Sequence, residues 1–325
     1  MTVDADTLDR LRTVVAPVGD LVGATHLTGG MFATTYRVTL VDGPPVVVKT
    51  APTATERLLT YEHDLLRTEA LVYRLAEAHP DLLMPRVLHT DLTRTTLPSD
   101  VLVVSHLDGV PLLEVGYPPG DPRAARAEHD LGALMARLHR ITGERFGYPN
   151  AATGLVGATW PEAFGRMVGA LLADADAWGT PVPAARVRAA LHTHHDALAQ
   201  VRVPALVHTD LWPGNLFVAP ETGELVGVID TERALWGDPL FELAGADQMG
   251  RGPVPVGLIA GYESAGGRLD LDSADGRARL LLYRMAMSLV LVVEIAPRGY
   301  VGDWLAGHRG TAEANLAAML EALGV

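Results

Sequence analysis

Two β-branched runs on either side of a Pro-Gly loop, with a third run one turn later, leave a chain few ways to fold locally. Leu206-Val207-His208-Thr209-Asp210-Leu211-Trp212-Pro213-Gly214-Asn215-Leu216-Phe217-Val218 is such a stretch, and Leu225-Val226-Gly227-Val228-Ile229-Asp230 follows it. Pro213 and Gly214 forbid a helix through the first loop, and Pro220 to Gly223 supply a turn between the second and third runs. Strands therefore give way to loops near Asp210, Asn215 and Asp230, and a small hairpin presents all three at one end. A carboxylate that can take a proton, beside an amide and a second carboxylate that can hold Mg²⁺, is what phosphoryl transfer to a hydroxyl needs.

Upstream, Thr7 to Val15 reads as a short helix, and Val22 to Leu40 holds two strand-like runs around Thr28-Gly29-Gly30-Met31. Gly29 and Gly30 let backbone N–H groups approach phosphates, although a glycine pair alone more often marks a hairpin turn. The run Val46-Val47-Val48 ends in Lys49. Thr55 to Ala78 is helical in pattern, with Leu65, Leu66, Val72 and Leu75 as its apolar stripe. Glu69 falls on that stripe, where an acid needs a partner, and Lys49 is the obvious one. Glu62, about two turns earlier on the same side of the predicted helix, is the rival partner.

Beyond Pro80, Val87 to Thr90 and Val101 to His106 read as strands. Helices are predicted over Arg123 to Ile141, from Trp160 onward, and over Val256 to Ala265, Ala274 to Ile295 and Thr311 to Leu323. His139 reads as a capping or packed histidine, and Asp238 as a cap for the helix after Pro239 or a support for the Asp210 loop. His192 and His195, or His192 and Asp196, could share a helix face as metal ligands, but no third ligand is evident nearby, and an exposed face is the favoured reading.

Charge and composition narrow the partners. A net charge of -13 argues against nonspecific nucleic-acid binding and suits a cationic small substrate, although acidity also simply aids solubility. With no cysteine among 325 residues, disulfides, thiolate metal sites and a cysteine nucleophile are excluded. The most apolar run, Leu280 to Ala296, is short for a membrane span and contains Arg284 and Glu294, so it is expected to be a buried helix. Met1 to Asp6 is acidic and lacks a leader pattern, so a cytoplasmic protein, with ATP at hand, is expected.

His208-x-Asp210-x-x-x-x-Asn215, followed by Ile229-Asp230 and by Gly237-Asp238-Pro239, resembles the catalytic and metal-binding segments of the aminoglycoside phosphotransferase family. That family includes choline, fructosamine and macrolide kinases. The resemblance implies an α+β, bilobal protein-kinase-like fold, with an antiparallel N-terminal sheet, one key helix and a mostly helical C-terminal lobe. The expected lobes are residues 1–108 for nucleotide binding and 109–325 for catalysis and substrate binding. ATP and Mg²⁺ are the implied cofactors, and a small molecule bearing a hydroxyl is the implied partner, with no nucleic acid or membrane.

By position, Asp210 is the implied base, His208 its loop support, and Asn215 and Asp230 the Mg²⁺ ligands. Lys49, Glu69, Gly29, Gly30, Ser105 and Leu107 fall where the family holds the nucleotide. Trp212, Glu232, Trp236 and Asp247 are candidate walls of the acceptor pocket. Two departures bear on the substrate: Thr209 stands where the family usually has Gly, and Trp212 resembles the fructosamine-kinase branch. The expected activity is phosphorylation of an antibiotic, aminoglycoside-like or nucleoside. Metabolic sugar or amino-sugar phosphorylation is the alternative, ahead of a pseudokinase binding module or a metal-dependent hydrolase.

Overall fold

Valine-rich runs organise the first third of the chain. In the computed structural model, which describes residues 3–28 and 32–325, they form an antiparallel sheet. Its strands are β1 (Leu21–Leu27), β2 (Thr34–Leu40), β3 (Val46–Thr50), β4 (Val87–Asp91) and β5 (Val101–Ser105), in the order β1-β2-β3-β5-β4. Alternation along β5 buries both faces of the sheet. Val101 and Val103 point toward Leu11, Val14 and Val15 of the helix Ala5–Val15, while Leu102 and Val104 meet Leu66, Ala70 and Tyr73 of the helix Leu65–Ala76. Asp4 starts the first helix by accepting the Thr7 amide at 2.9 Å. Gly29 and Gly30, expected at the nucleotide, lie outside the described residues.

The long helix predicted over Thr55 to Ala78 is only half present. Thr55–Arg57 and Thr60–Glu62 are short 3₁₀ turns, and Asp64, in the left-handed region at φ 60°, precedes the helix that begins at Leu65. Tertiary contacts override the local pattern. Leu59, Tyr61 and Leu65 belong to the core of the other lobe. Thr60 bonds Asp174 through its amide at 2.9 Å and its hydroxyl at 2.7 Å. Arg57 Nε donates to the Pro297 carbonyl at 2.7 Å, and Glu62 pairs with Arg298. Glu62 is therefore not the partner of Lys49. Residues 55–64 form a strap from the sheet lobe onto the helical lobe.

The chain leaves the first sheet at Ser105 and enters a second at β6 (Val110–Pro111), passing through Gly109 at φ +105°. A Cβ there would meet Val226 and the Val218 carbonyl, so the crossing needs glycine. The remaining strands are β7 (Phe146–Gly147), β8 (Val156–Gly157), β9 (Ala205–Val207), β10 (Leu216–Ala219), β11 (Glu224–Val228) and β12 (Leu235–Gly237). They form two small sheets, ordered β11-β10-β6 and β8-β7-β12-β9. Around them pack the helices Pro122–Leu138, Trp160–Ala177, Val256–Ser264, Ala274–Val293 and Leu305–Ala322, the last beginning six residues before its predicted start at Thr311.

The core of this lobe is aromatic. Phe164, Phe241 and Tyr283 pack with ring centroids 5.0 to 5.9 Å apart, and Trp160 donates its indole N–H to the Tyr283 hydroxyl at 2.7 Å. Tyr283 in turn donates to Asp238 Oδ2 at 2.7 Å, and Arg279 reaches the same oxygen at 2.9 Å. Asp238 Oδ1 accepts the Leu240 amide, so this residue both caps the next turn and ties it to the long helix. That helix carries the apolar run of the sequence and is mostly buried within the protein, as a core helix.

Candidate active site

The loop after β9 is held in place by buried polar groups. Thr209 is left-handed at φ 64°, an unfavourable position for a β-branched residue. The Glu242 carboxylate offsets this by accepting the His208 amide at 2.7 Å and the Thr209 amide at 2.9 Å, while the Thr209 hydroxyl donates to the Arg233 carbonyl at 2.9 Å. His208 donates from Nε2 to the Ile229 carbonyl at 3.0 Å and accepts the Asp210 amide at Nδ1 at 3.3 Å. Only the neutral Nε2–H tautomer satisfies both bonds. His208 thus ties the Asp210 loop to the strand leading into Asp230.

Asp210 sits between two amides. Asn215 Nδ2 donates to its Oδ2 at 3.2 Å and to its backbone carbonyl at 2.9 Å, and Gln248 Nε2 donates to its Oδ1 at 2.5 Å. Burial pushes the carboxyl up to about 6; Arg233 opposes the rise and Asp230 adds to it. Such a group is a base near neutral pH.

A closed ring of bonds joins the two lobes. Lys49 Nζ lies 2.7 Å from Glu69 Oε1 and 2.5 Å from Asp230 Oδ1. Tyr73 donates to Glu69 Oε1 at 2.6 Å and accepts the Asp230 amide at 3.0 Å, closing the ring. Burial works against the Lys49 charge, but Asp230 and Glu69 outweigh it and hold the ammonium well above its ordinary range. For Asp230 burial again opposes the charge, and Lys49 overcomes it, so the carboxyl stays below its usual value. Glu232 adds a third acid: its carboxylate lies within 4.8 Å of Glu69 and Asp230, and its Oε2 is buried without a partner among the described residues. Burial and then Asp230 push it well above the carboxylate range.

Three acids crowd one ammonium, more than the lysine can pair in their ionised form, and a divalent cation bound there would let the third acid ionise. Asp230 Oδ2 and Asn215 Oδ1 make no hydrogen bond among the described residues, and a carboxylate and an amide oxygen are the hard donors that Mg²⁺ takes. The Asn215 carbonyl accepts the Ile229 amide at 3.1 Å, which keeps both side chains at one end of the hairpin.

The remaining candidates fall in different places. Ser105 Oγ accepts the Arg86 amide at 2.9 Å, and Leu107 packs against Gly227 in the crossing between lobes. Trp212 lies over Gly214 at the Asp210 loop, and Asp247 is exposed beside Gln248. Trp236 packs on Gly143 and joins a cluster with Leu138, Ile141 and Leu206, contacts that describe packing rather than an acceptor wall. His139 bonds the Tyr262 hydroxyl at 2.9 Å, a packed histidine. His192, His195 and Asp196 are exposed and divided between two helices, Ala184–Thr193 and His195–Leu198, and the acids around Lys49 are the only gathering of three His or acid side chains close enough to share a metal among the described residues.

Sequence reasoning passed over Tyr73, Arg233, Glu242 and Gln248. Tyr73 was within reach, since it lies one helical turn after Glu69 on the same face. Glu242 and Arg233 are buried charges whose partners come from distant segments. Gln248 sits in a loop with no periodic signal.

Residues 23–283 match the model of the phosphotransferase enzyme family. No curated protein matches the chain. Among solved structures, a Ralstonia eutropha JMP134 protein assigned as an aminoglycoside phosphotransferase is 15% identical, with 97% of this chain and 98% of that one covered and a TM-score of 0.65. A Thermobifida fusca YX-ER1 protein assigned as a fructosamine-3-kinase is 22% identical over 95% and 98% of the two chains, also at 0.65. Aminoglycoside phosphotransferase APH(4)-Ia, in a ternary complex with AMP-PNP and hygromycin B, is 18% identical over 96% and 98%, at 0.62. These similarities show a shared protein-kinase-like fold. With the family model covering most of its length, this chain belongs to the phosphotransferase enzyme family and is a small-molecule kinase.

Proposed function

We propose that the enzyme transfers the γ-phosphoryl group of ATP to a hydroxyl of an antibiotic, aminoglycoside-like or nucleoside. The observation that carries the reading is the pairing of a half-buried Asp210, held by two amides, with the Lys49–Glu69–Asp230 ring at the same end of the hairpin. In this reading the two lobes divide at residues 108 and 109. Ser105 and Leu107 offer backbone groups to the adenine, and Lys49 contacts the α- and β-phosphates. Asn215 and Asp230 would hold Mg²⁺, which supplies charge neutralisation to the phosphate oxygens when bound.

Asp210 orients the acceptor hydroxyl toward the γ-phosphorus. The hydroxyl oxygen forms the new P–O bond, the bond to the β-phosphate oxygen breaks, ADP leaves with that electron pair, and the hydroxyl proton passes to Asp210. Position and charge do the work, and no covalent enzyme intermediate is needed. No pseudokinase role is needed either, because Lys49, Asp210, Asn215 and Asp230 are all present. The chemistry suits the cytoplasm, where ATP is available.

The solved kinase of like fold that holds AMP-PNP and hygromycin B supports an antibiotic acceptor. Trp212 favours a second reading, a metabolic amino-sugar acceptor, in line with the protein assigned as a fructosamine-3-kinase. ADP release measured across aminoglycosides, nucleoside antibiotics, sugars and glycated amines decides between them. Stimulation by an antibiotic supports the first reading, and stimulation only by a glycated amine or sugar replaces it with the second. Phosphate release that no acceptor enhances would make the protein a hydrolase.

A further inference from the structure

We propose that Gln248 is a positioning residue, which fixes the Asp210 carboxylate in the plane from which it takes the acceptor's proton. The inference rests on Asp210 being the base. A carboxylate on a single-bond hinge turns freely unless both oxygens are held, and a base misaligned with the hydroxyl loses most of its rate. Here the two oxygens are held from opposite sides. Asn215, on the phosphate side, donates to Oδ2, and Gln248 donates to Oδ1. Each oxygen accepts one amide bond and keeps a second lone pair, so the carboxylate can be held in plane and still accept the acceptor hydroxyl.

The loop that carries Gln248 is built to hold still. Asn315, buried on the C-terminal helix, donates to the Met249 carbonyl at 2.8 Å. Arg284, on the long core helix, donates to the Gly252 carbonyl at 2.8 Å. The Gly250 amide turns back to the Asp247 carbonyl at 3.1 Å, and the Asp247 carboxylate occupies the place a Cβ on Gly250 would need. Gln248 itself is only partly buried, and its amide oxygen makes no hydrogen bond among the described residues. A side chain so placed contributes little to packing, while the loop just beyond it is fastened at Met249 and Gly252 by helices far along the chain.

The test compares Gln248→Met, Gln248→Glu and Gln248→His with wild type, reading ADP release from Mg-ATP with water, hygromycin B, gentamicin or a glycated lysine as acceptor. Gln248→Met keeps length and loses the donor, and kcat should fall about 10- to 100-fold with KM for ATP within two-fold of wild type. Gln248→Glu places a second carboxylate against Asp210 and should fall further. Gln248→His, which restores a ring N–H, should recover part of the loss. Thermal midpoints close to wild type would accompany all three, because the side chain does not hold the fold. Gln248→Met retaining more than half of kcat, or His doing no better than Met, overturns the proposal. Asp210→Asn run in parallel separates the causes. If it keeps turnover, the base assignment has failed; if it loses turnover while Gln248→Met does not, only the positioning role has failed. A wild type that releases no ADP with any of these acceptors, nor with a nucleoside antibiotic or a sugar, overturns both.

Discussion

Glu62 and Arg298 stand 236 positions apart and form an ion pair in which both side chains are buried. The pair fastens the strap of residues 55–64 to the end of the core helices. From there the charges alternate inward: Arg298 lies 3.6 Å from Glu294, Glu294 3.1 Å from Arg233, and Arg233 beneath the Tyr61 ring at 5.9 Å. Arg233 is also the cation that draws on Asp210. The strap and the proposed base thus share one buried network, which couples the joining of the lobes to the electrostatics of the site.

Glu62→Gln should therefore destabilise the protein by about 3 kcal/mol, the low end for a broken buried pair, because Glu294 still faces Arg298. The double variant Glu62→Gln with Arg298→Met should recover much of that loss by removing the stranded charge. Denaturant midpoints for the single and double variants measure this. An unchanged midpoint for the single variant would mean that Glu294 alone satisfies Arg298.

Lys49→Met leaves Glu69, Asp230 and Glu232 facing one another without their ammonium. Their carboxyls would then sit far above the unfolded range, so the folded variant binds more protons than the unfolded chain. Stability linked to that uptake grows as pH falls. The gap in thermal midpoint between Lys49→Met and wild type should narrow from pH 8 to pH 6. A gap that stays constant would show that the loss is one of packing and not of charge.

Asp210 should titrate near pH 6 in the free protein, pushed up by burial and by Asp230. A base must be ionised, so activity should be full above this pH and fall as pH drops through it. Carboxyl NMR of the free protein, assigned by loss of the signal in Asp210→Asn, gives the midpoint directly. A value at or below 4 would place Asp210 in water rather than in the interior.

How much of this was legible beforehand follows from the range of the interactions. The Lys49–Glu69 pair is legible because an acid on an apolar helical stripe has to find a cation, and the strand end offers one. The hairpin bearing Asp210, Asn215 and Asp230 was legible because its strands and turns are encoded within a few residues. Thr55 to Glu62 was misread as helix because spacing there reports only local preference. Leu59 and Tyr61, two residues apart, would face nearly opposite sides of a helix, yet both are buried in the other lobe's core. Glu62 accordingly went to Arg298, a partner no local pattern contains. Trp236, a candidate pocket wall, packs its ring on Gly143 and the cluster behind β12, neighbours that come from segments far from the motif in sequence.

Gly245→Ala should damage the site without touching any proposed ligand. A Cβ there falls on the backbone of Thr209, whose left-handed geometry has no slack to yield. The loop would be pushed off the Glu242 carboxylate that holds it, lowering kcat by about 10-fold or more while the sheet lobe keeps its nucleotide contacts. Steady-state kinetics with a nucleotide-binding measurement separates the two. Loss of ATP affinity equal to the loss of kcat would mean that the damage spreads beyond the loop.

The acceptor's charge is the property most open to a direct test. The protein carries a net charge of -13, and Asp247 is exposed one residue from Gln248, which bonds the proposed base. For a polycationic acceptor such as gentamicin, Asp247→Asn should raise KM by about 2- to 5-fold, the size of a solvent-exposed pair, and leave kcat nearly unchanged. Attraction through water is screened over about 10 Å at 0.1 M salt, so the wild-type KM should climb with ionic strength and the variant's should climb less steeply. A neutral nucleoside or sugar would instead be held by hydrogen bonds and by stacking on Trp212, with little response to salt or to Asp247. With ATP saturating and free Mg²⁺ fixed, a flat acceptor KM from low to moderate salt would sink the cationic acceptor and move the choice to the neutral class.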